Sequence, residues 1–258
     1  MPRVIEKVVG HYLDAVDRER PGLVTGLYLV GSVALGAWQP GASDIDAVIL
    51  TSRVPAAGDL AALETVHGGM PASPHFDGVY LDPELLRSAP VSPTVTPFVV
   101  DGGLRVGKPC GELNPVLWLT LLRHGRRVRG PEIADLGIRV APEALRDYNL
   151  GNLRSYWQPL VRSRPPDLPD EQVPADFVAW LTLGPARLHH TLAYGDIISK
   201  AAAGAYLAEL FPAYAELAGR AVAHRAGTPQ QFSAADLRAA AASVDAVAED
   251  AWSRFGPT

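Results

Sequence analysis

Two short apolar runs, Leu23–Val30 and Asp46–Thr51, do most to limit what this chain can fold into. Rich in Leu, Val and Ile and bounded by turn residues, they read as neighbouring buried strands rather than as amphipathic helices. The first run ends in Gly31-Ser32, and Ser43-Asp44-Ile45-Asp46 leads into the second. In extended backbone, successive side chains point to opposite faces, so Asp44 and Asp46 project together while Ile45 and Ala47 turn the other way. Two like charges so placed at the end of a buried strand call for a cation. A hard ion such as Mg2+, which prefers oxygen ligands and keeps room for phosphate oxygens, suits a carboxylate pair. Gly31 permits close backbone approach, and Ser32, at the start of an expected helix over Val33–Trp38, offers hydroxyl and amide donors to a phosphate. Short motifs of this kind also occur as plain turns and solvated loop caps. Here their order, each against an apolar run, points to metal-dependent phosphoryl-type transfer.

A third carboxylate fits the same pattern. Phe76-Asp77-Gly78-Val79-Tyr80-Leu81 reads as another strand, followed by the helix-start signal Asp82-Pro83-Glu84. On an adjacent strand Asp77 faces the Asp44 and Asp46 pair, where it can ligate metal and take a proton from an incoming hydroxyl. The plainer alternative is a strand-end aspartate paired with a surface arginine.

Around these strands the first half alternates. Helices are expected over Val4–Glu19 and Asp59–His67, a proline-rich connector over Ser88–Pro97, a strand over Phe98–Asp101 and a helix from Pro115 to Leu122. The basic run Arg123–Arg129 reads as a helix C-terminus whose cations complement the dipole, with Gly125 ending the helix. A phosphate or tRNA patch is the other reading of that run. Beyond Pro142 strand signals fade. Pro142–Leu160, Pro174–Tyr194, Lys200–Leu210, Ala213–His224 and Ala234–Trp252 read as helices, and a Pro-rich loop, Arg164–Pro174, separates the first two. The expected architecture is therefore α+β: a small mixed sheet backed by helices over residues 1–141, then an all-α bundle over residues 142–258.

Composition narrows the function classes. The 258 residues are 48% hydrophobic and 20% charged, enough for two small cores. A net charge of −5 argues against coating a nucleic-acid duplex, which calls for a basic stripe, so nucleic acid is not the expected partner. Cys110 is the single cysteine, which excludes an internal disulfide and a zinc cluster built on thiolates, and fits a cytoplasmic setting. No apolar run approaches the ~20 residues needed to span a bilayer, so no membrane association is expected.

The residues Gly31-Ser32-Val33-Ala34-Leu35-Gly36, Ser43-Asp44-Ile45-Asp46 and Asp77 resemble the nucleotidyltransferase superfamily that includes polymerase beta. Length and order narrow the likeness to the aminoglycoside adenylyltransferases of the streptomycin and spectinomycin class, which join such a domain to a helical one. That resemblance implies ATP as co-substrate, Mg2+ on Asp44, Asp46 and Asp77, and Asp77 as catalytic base where the family carries a glutamate. It implies nucleotide contacts from Gly31, Ser32, Ser43, Arg187 and Lys200, and likens Arg127-Val128-Arg129-Gly130-Pro131 to the family's turn between domains. The implied acceptor is a hydroxylated small molecule, an aminoglycoside or aminocyclitol. The acids and aromatic residues that hold streptomycin in the family fall here near Val173, Phe177, Trp180 and Gly102–Leu104, and none is kept. Two other functions stay open on the residues alone: nucleotidyl transfer to RNA or protein, and nucleotide binding without turnover.

Overall fold

The computed structural model describes residues 1–90, 94–163 and 168–257. It divides into two compact units, Met1–Val140 and Ala141–Thr258. Parts of the expected connector Ser88–Pro97 and of the loop Arg164–Pro174 lie outside the described residues.

The first unit runs α1 (Arg3–Glu19), β1 (Val24–Leu29), a single helical turn α2 (Gly31–Ala34), β2 (Ile45–Thr51), α3 (Ala57–Gly68), β3 (Phe76–Leu81) and α4 (Pro83–Ser88). Then follow β4 (Thr94–Val95), β5 (Phe98–Val100), β6 (Gly103–Arg105), β7 (Pro109–Cys110), α5 (Pro115–His124) and β8 (Arg126–Arg129). Six strands form one mixed sheet in the order β6-β5-β3-β2-β1-β8, and β4 pairs with β7 separately. Among the described residues only β2 and β3 pair in parallel, joined through α3, and their register sets Ile45 beside Phe76, Asp46 beside Asp77 and Ala47 beside Gly78.

The period of two sorts the strand residues between two apolar layers. Leu27, Leu29, Ile45, Ile49, Phe76 and Tyr80 pack with Ile5, Tyr12 and Leu63 of α1 and α3. Tyr28, Val48, Leu50, Val79 and Leu81 pack on the other face with Trp118 and Leu121 of α5. Asp46 and Asp77 share this second face with Val48 and Val79 by alternation, at the ends where the strands begin.

The basic run departs from the expected reading. Arg123 and His124 do occupy the last turn of α5, which Gly125 ends. Arg126–Arg129, however, is an edge strand antiparallel to β1, not a helix end. A Cβ at Gly125 would collide with the Leu121 carbonyl oxygen, so the chain leaves the helix there in extended backbone. Arg129 then makes a two-pronged ion pair with Asp17 of α1, at 2.7 and 2.6 Å, and holds that carboxyl below its ordinary range. Arg127 pairs with Glu132 at 2.6 Å. Lining the exposed edge with arginines also discourages pairing with another sheet. The helix expected over Val33–Trp38 is shorter, Gly31–Ala34, and β6 arises after a turn that the sequence did not announce.

In the second unit α6 (Pro142–Asn152) continues through a π-helical turn, Leu153–Trp157, into α7 (Gln158–Ser163). There follow α8 (Ala175–Tyr194), α9 (Lys200–Leu210), α10 (Ala215–Arg225) and α11 (Ala234–Phe255). Helix α8 is the axis, and Gly184 on it leaves room for the Trp157 ring, which a Cβ would overlap. Among the described residues no helix is long and apolar enough to cross a membrane. The α+β expectation of a mixed sheet followed by a helical region is met.

One buried polar chain sits inside the first core layer. The His67 imidazole bonds the Tyr80 hydroxyl at 2.7 Å, and that hydroxyl bonds Tyr12 at 2.8 Å. Burial lowers the His67 pKa from 6.5 to about 4, so the folded protein keeps it neutral. Above pH 6.5 the folded and unfolded chains are both neutral there. Between about 6.5 and about 4 only the unfolded chain takes up the proton, so stability falls with pH, by up to about 1.4 kcal/mol per pH unit. Urea unfolding across this window should show that slope in the wild type and its loss in His67→Gln. Parallel pH profiles for the two proteins would show that His67 protonates freely in the fold.

Candidate active site

The site grows from the starts of two adjacent parallel strands. β1 ends at Leu29, and the Val30 amide still bonds the Asp46 carbonyl at 2.9 Å, which carries the Gly31-Ser32 turn to the side of β2. Gly31 has φ +56°, and a Cβ there would overlap the Asp46 carboxylate. The absence of a side chain at Gly31 is therefore what lets the carboxylate lie against the backbone. The Ser32 hydroxyl is buried without a hydrogen-bond partner. Ser43 serves the loop before β2: its hydroxyl accepts the Gln39 amide at 3.2 Å, and its own amide bonds the Gln39 carbonyl at 3.0 Å.

Asp77 is held by the backbone. The turn between β5 and β6 places two backbone amides on it, Asp101 on one carboxylate oxygen and Gly102 on the other, both at 2.9 Å. That turn needs positive φ at two successive residues, +51° at Asp101 and +69° at Gly102. A carboxylate gripped by two amides is fixed in orientation. Burial nonetheless outweighs them and raises the Asp77 pKa, with the Asp44 charge adding to the rise and the two amides and His75 opposing it. An aspartate moved toward neutrality in this way is better suited to accept a proton than an ordinary surface one.

His75 completes the cluster, and the sequence analysis did not include it. It lies just before β3, two residues from Asp77, with Nδ1 3.6 Å from an Asp44 oxygen. One ligand atom from each of Asp44, His75 and Asp77 lies within 4.8 Å of the others. Asp46 stands outside that trio, in register with Asp77 and against Gly31. The signal was present: His75-Phe76-Asp77 repeats the polar-apolar-polar alternation of Asp44-Ile45-Asp46. Glu112, after β7, is a second residue that was missed. It remains open to solvent, yet the protein around its carboxyl, and then the nearby Asp77 charge, raise its pKa. Nothing in its local sequence marks it.

The donor set suits a divalent cation. Asp44 is half exposed and so reachable, Asp77 is pre-oriented, and the carboxylates of two strands accumulate charge that a cation would neutralise. The orphaned Ser32 hydroxyl is a further polar group at the same end of the sheet, and the space left by Gly31 is taken by the Asp46 carboxylate.

Arg187 and Lys200 belong to the helical unit. Arg187 of α8 donates from Nε to the Ile198 carbonyl at 2.9 Å, tying down the segment that leads into α9. Lys200 is the first residue of α9, whose N-terminus Ser199 caps by accepting the Ala202 amide at 3.1 Å. The two cations thus flank one capped helix start.

Residues 11–71 match the family model described as nucleotidyltransferase domain. The structure resembles that of spectinomycin adenyltransferase AAD(9) from Enterococcus faecialis, solved with ATP and spectinomycin. The TM-score is 0.72 at 14% sequence identity, over 95% of this chain and 98% of that one. No curated protein matches the sequence. The chain thus matches a nucleotidyltransferase domain over residues 11–71 and shares the fold of that solved structure over nearly its whole length.

Proposed function

We propose that the protein transfers AMP from ATP to a hydroxyl of a small aminoglycoside- or aminocyclitol-type molecule. The observation that carries this reading is the strand register that sets Asp46 beside Asp77, with Asp44 on the same face and the Gly31-Ser32 turn against Asp46. The structural likeness to a protein solved with ATP and spectinomycin supports ATP as donor and an aminocyclitol as acceptor.

Asp44, Asp46 and Asp77 are the residues that would hold Mg2+. A bound divalent cation would supply Lewis-acid stabilisation of the charge that develops on the phosphoryl oxygens. Gly31 keeps the backbone close enough for Ser32 to donate to a phosphate, while Arg187 and Lys200 are the phosphate contacts proposed for the helical unit. Asp77, held by the Asp101 and Gly102 amides, takes the proton of the acceptor hydroxyl. The freed oxygen attacks the α-phosphorus, the bond to the bridging oxygen breaks, and pyrophosphate leaves with the electron pair.

The acceptor side argues against streptomycin. The expected drug-facing positions Phe177 and Trp180 pack with Trp157 in an aromatic cluster, and Asp176 is paired with His224 at 3.2 Å. A guanidinium set among those rings would lack carboxylate partners, at a cost of several kcal/mol.

Incubation with ATP, Mg2+ and a panel of aminoglycosides and aminocyclitols should release pyrophosphate and add an AMP mass to one acceptor. Spectinomycin-like compounds should be used well and streptomycin poorly. Micromolar-KM turnover of streptomycin would overturn the acceptor assignment, and an AMP label appearing only on RNA or protein would overturn the small-molecule reading. In the same assay Asp44→Asn and Asp46→Asn should each abolish turnover while circular dichroism stays unchanged. Near-wild-type rates in either would remove that residue from the metal site. Asp77→Asn should keep nucleotide affinity and lose on the order of 10²- to 10⁴-fold in kcat. A weakened affinity with unchanged kcat would make Asp77 a binding ligand instead.

A further inference from the structure

The imidazole of His75 has no part in the chemistry derived above, yet it stands where a ligand would. Its ring lies against the turn that orients Asp77, since a Cβ at Gly102 would sit 3.5 Å from the His75 Cδ2. Its Nδ1 is 3.6 Å from the Asp44 carboxylate, and about a third of the side chain is open to solvent, at 34% relative exposure. The backbone is anchored as well, because the His75 carbonyl accepts the Ile45 amide at 2.9 Å. The ring is therefore confined to the mouth of the carboxylate cluster, held from below by the strand and from one side by the turn.

The donor set that results is two carboxylates and one imidazole. Three ligand atoms lying within 4.8 Å of one another need only small side-chain rotations to converge on one ion, whose ligands lie about 2.0–2.2 Å away. Mg2+ takes oxygen almost throughout, whereas an imidazole adds selectively to the affinity for the first-row transition ions.

We propose that His75 is a metal ligand that shifts this site from Mg2+ toward Mn2+ and the other first-row divalent ions. The inference deepens the catalytic reading and rests on Asp44 and Asp77 holding a cation there. His75 works as a selectivity determinant: Mg2+ is held by the carboxylates alone, and Mn2+ by the carboxylates together with Nδ1. The same nitrogen, by occupying one coordination position, leaves fewer positions for water and phosphate oxygens when a transition ion is bound.

The test uses the full chain with Mn2+ as the probe, alone and with a non-hydrolysable ATP analogue, and reads electron spin-echo modulation at the bound ion. Wild-type protein should show nitrogen modulation that changes isotope when the protein is 15N-labelled and the nucleotide is not. His75→Gln should bind Mn2+ without that modulation and at least about tenfold more weakly, with Mg2+ affinity within about twofold of wild type. A nitrogen-free spectrum from Mn2+-loaded wild type overturns the proposal while leaving AMP transfer intact. Equal losses of Mg2+ and Mn2+ affinity also overturn it, and make His75 a residue that positions Asp44. Failure of the wild type to bind Mn2+ at all overturns this inference and the metal assignment of the carboxylates together.

Discussion

The parallel register of β2 and β3 is the constraint on which the rest of the site depends. Because side chains alternate along a strand, a slip of one residue would carry Asp46 or Asp77 to the layer occupied by Ile45, Ile49, Phe76 and Tyr80. Burying an unpartnered carboxylate there would cost several kcal/mol, and the displaced isoleucines would lose their cover. The apolar residues on both faces therefore lock the position of the charged ones. The geometry of the acidic cluster is a by-product of core packing: Val48, Leu50, Val79 and Leu81 fill the covered part of one face, and the acids occupy its uncovered beginning.

Holding so many acids together has an electrostatic cost, and the fold offsets it unevenly. Asp77 receives two amides from a turn with left-handed backbone at Asp101 and Gly102, a conformation that aspartate tolerates and glycine adopts freely. Asp44 has His75 at a loose 3.6 Å and is half open to solvent. Asp46 is accommodated because Gly31 has no side chain. The residual repulsion between Asp44 and Asp77 fits a site arranged for a ligand rather than for stability. By contrast, Arg127 and Arg129 of the basic strand β8 make structural pairs. Arg129 clamps α1 through Asp17, and Arg127 holds Glu132.

The helical unit follows a different logic. Its core is built along α8, where small residues admit large ones: Gly184 gives way to Trp157, and Gly204 of α9 leaves space for Val222 of α10. Within it His189 is fully buried, bonded to Tyr206 on one nitrogen and to Asp250 on the other, each at 2.7 Å. Desolvation lowers the His189 pKa despite the adjacent carboxylate, and the imidazole links α8 to Tyr206 of α9 and Asp250 of α11 by hydrogen bonds. The segment carrying Arg187 and Lys200 is braced by those bonds, since Tyr206 lies on the same helix as Lys200.

The strands β1, β2, β3 and β5, the α+β arrangement and the three aspartates were legible in the sequence because each is a local pattern. A period of two is visible over six residues, and Asp-x-Asp beside Gly-Ser is visible over sixteen. The helices of the second half were legible for the same reason, through alanine propensity and capping residues such as Ser199 and Ser233. What depended on contacts between distant segments was not. β8 is a strand because β1 has an open edge and Asp17 awaits a partner, facts located about 100 residues upstream of it. His75 belongs to the site because parallel pairing sets it beside Asp44, 31 residues earlier in the chain. Glu112 feels Asp77 across a turn that no local motif announces. The sequence by itself determined which residues could be strand, helix or acid, since those preferences act over a few bonds. Only the tertiary structure decided which of them share one face of one sheet, because that depends on strand order and register, which many residues settle jointly.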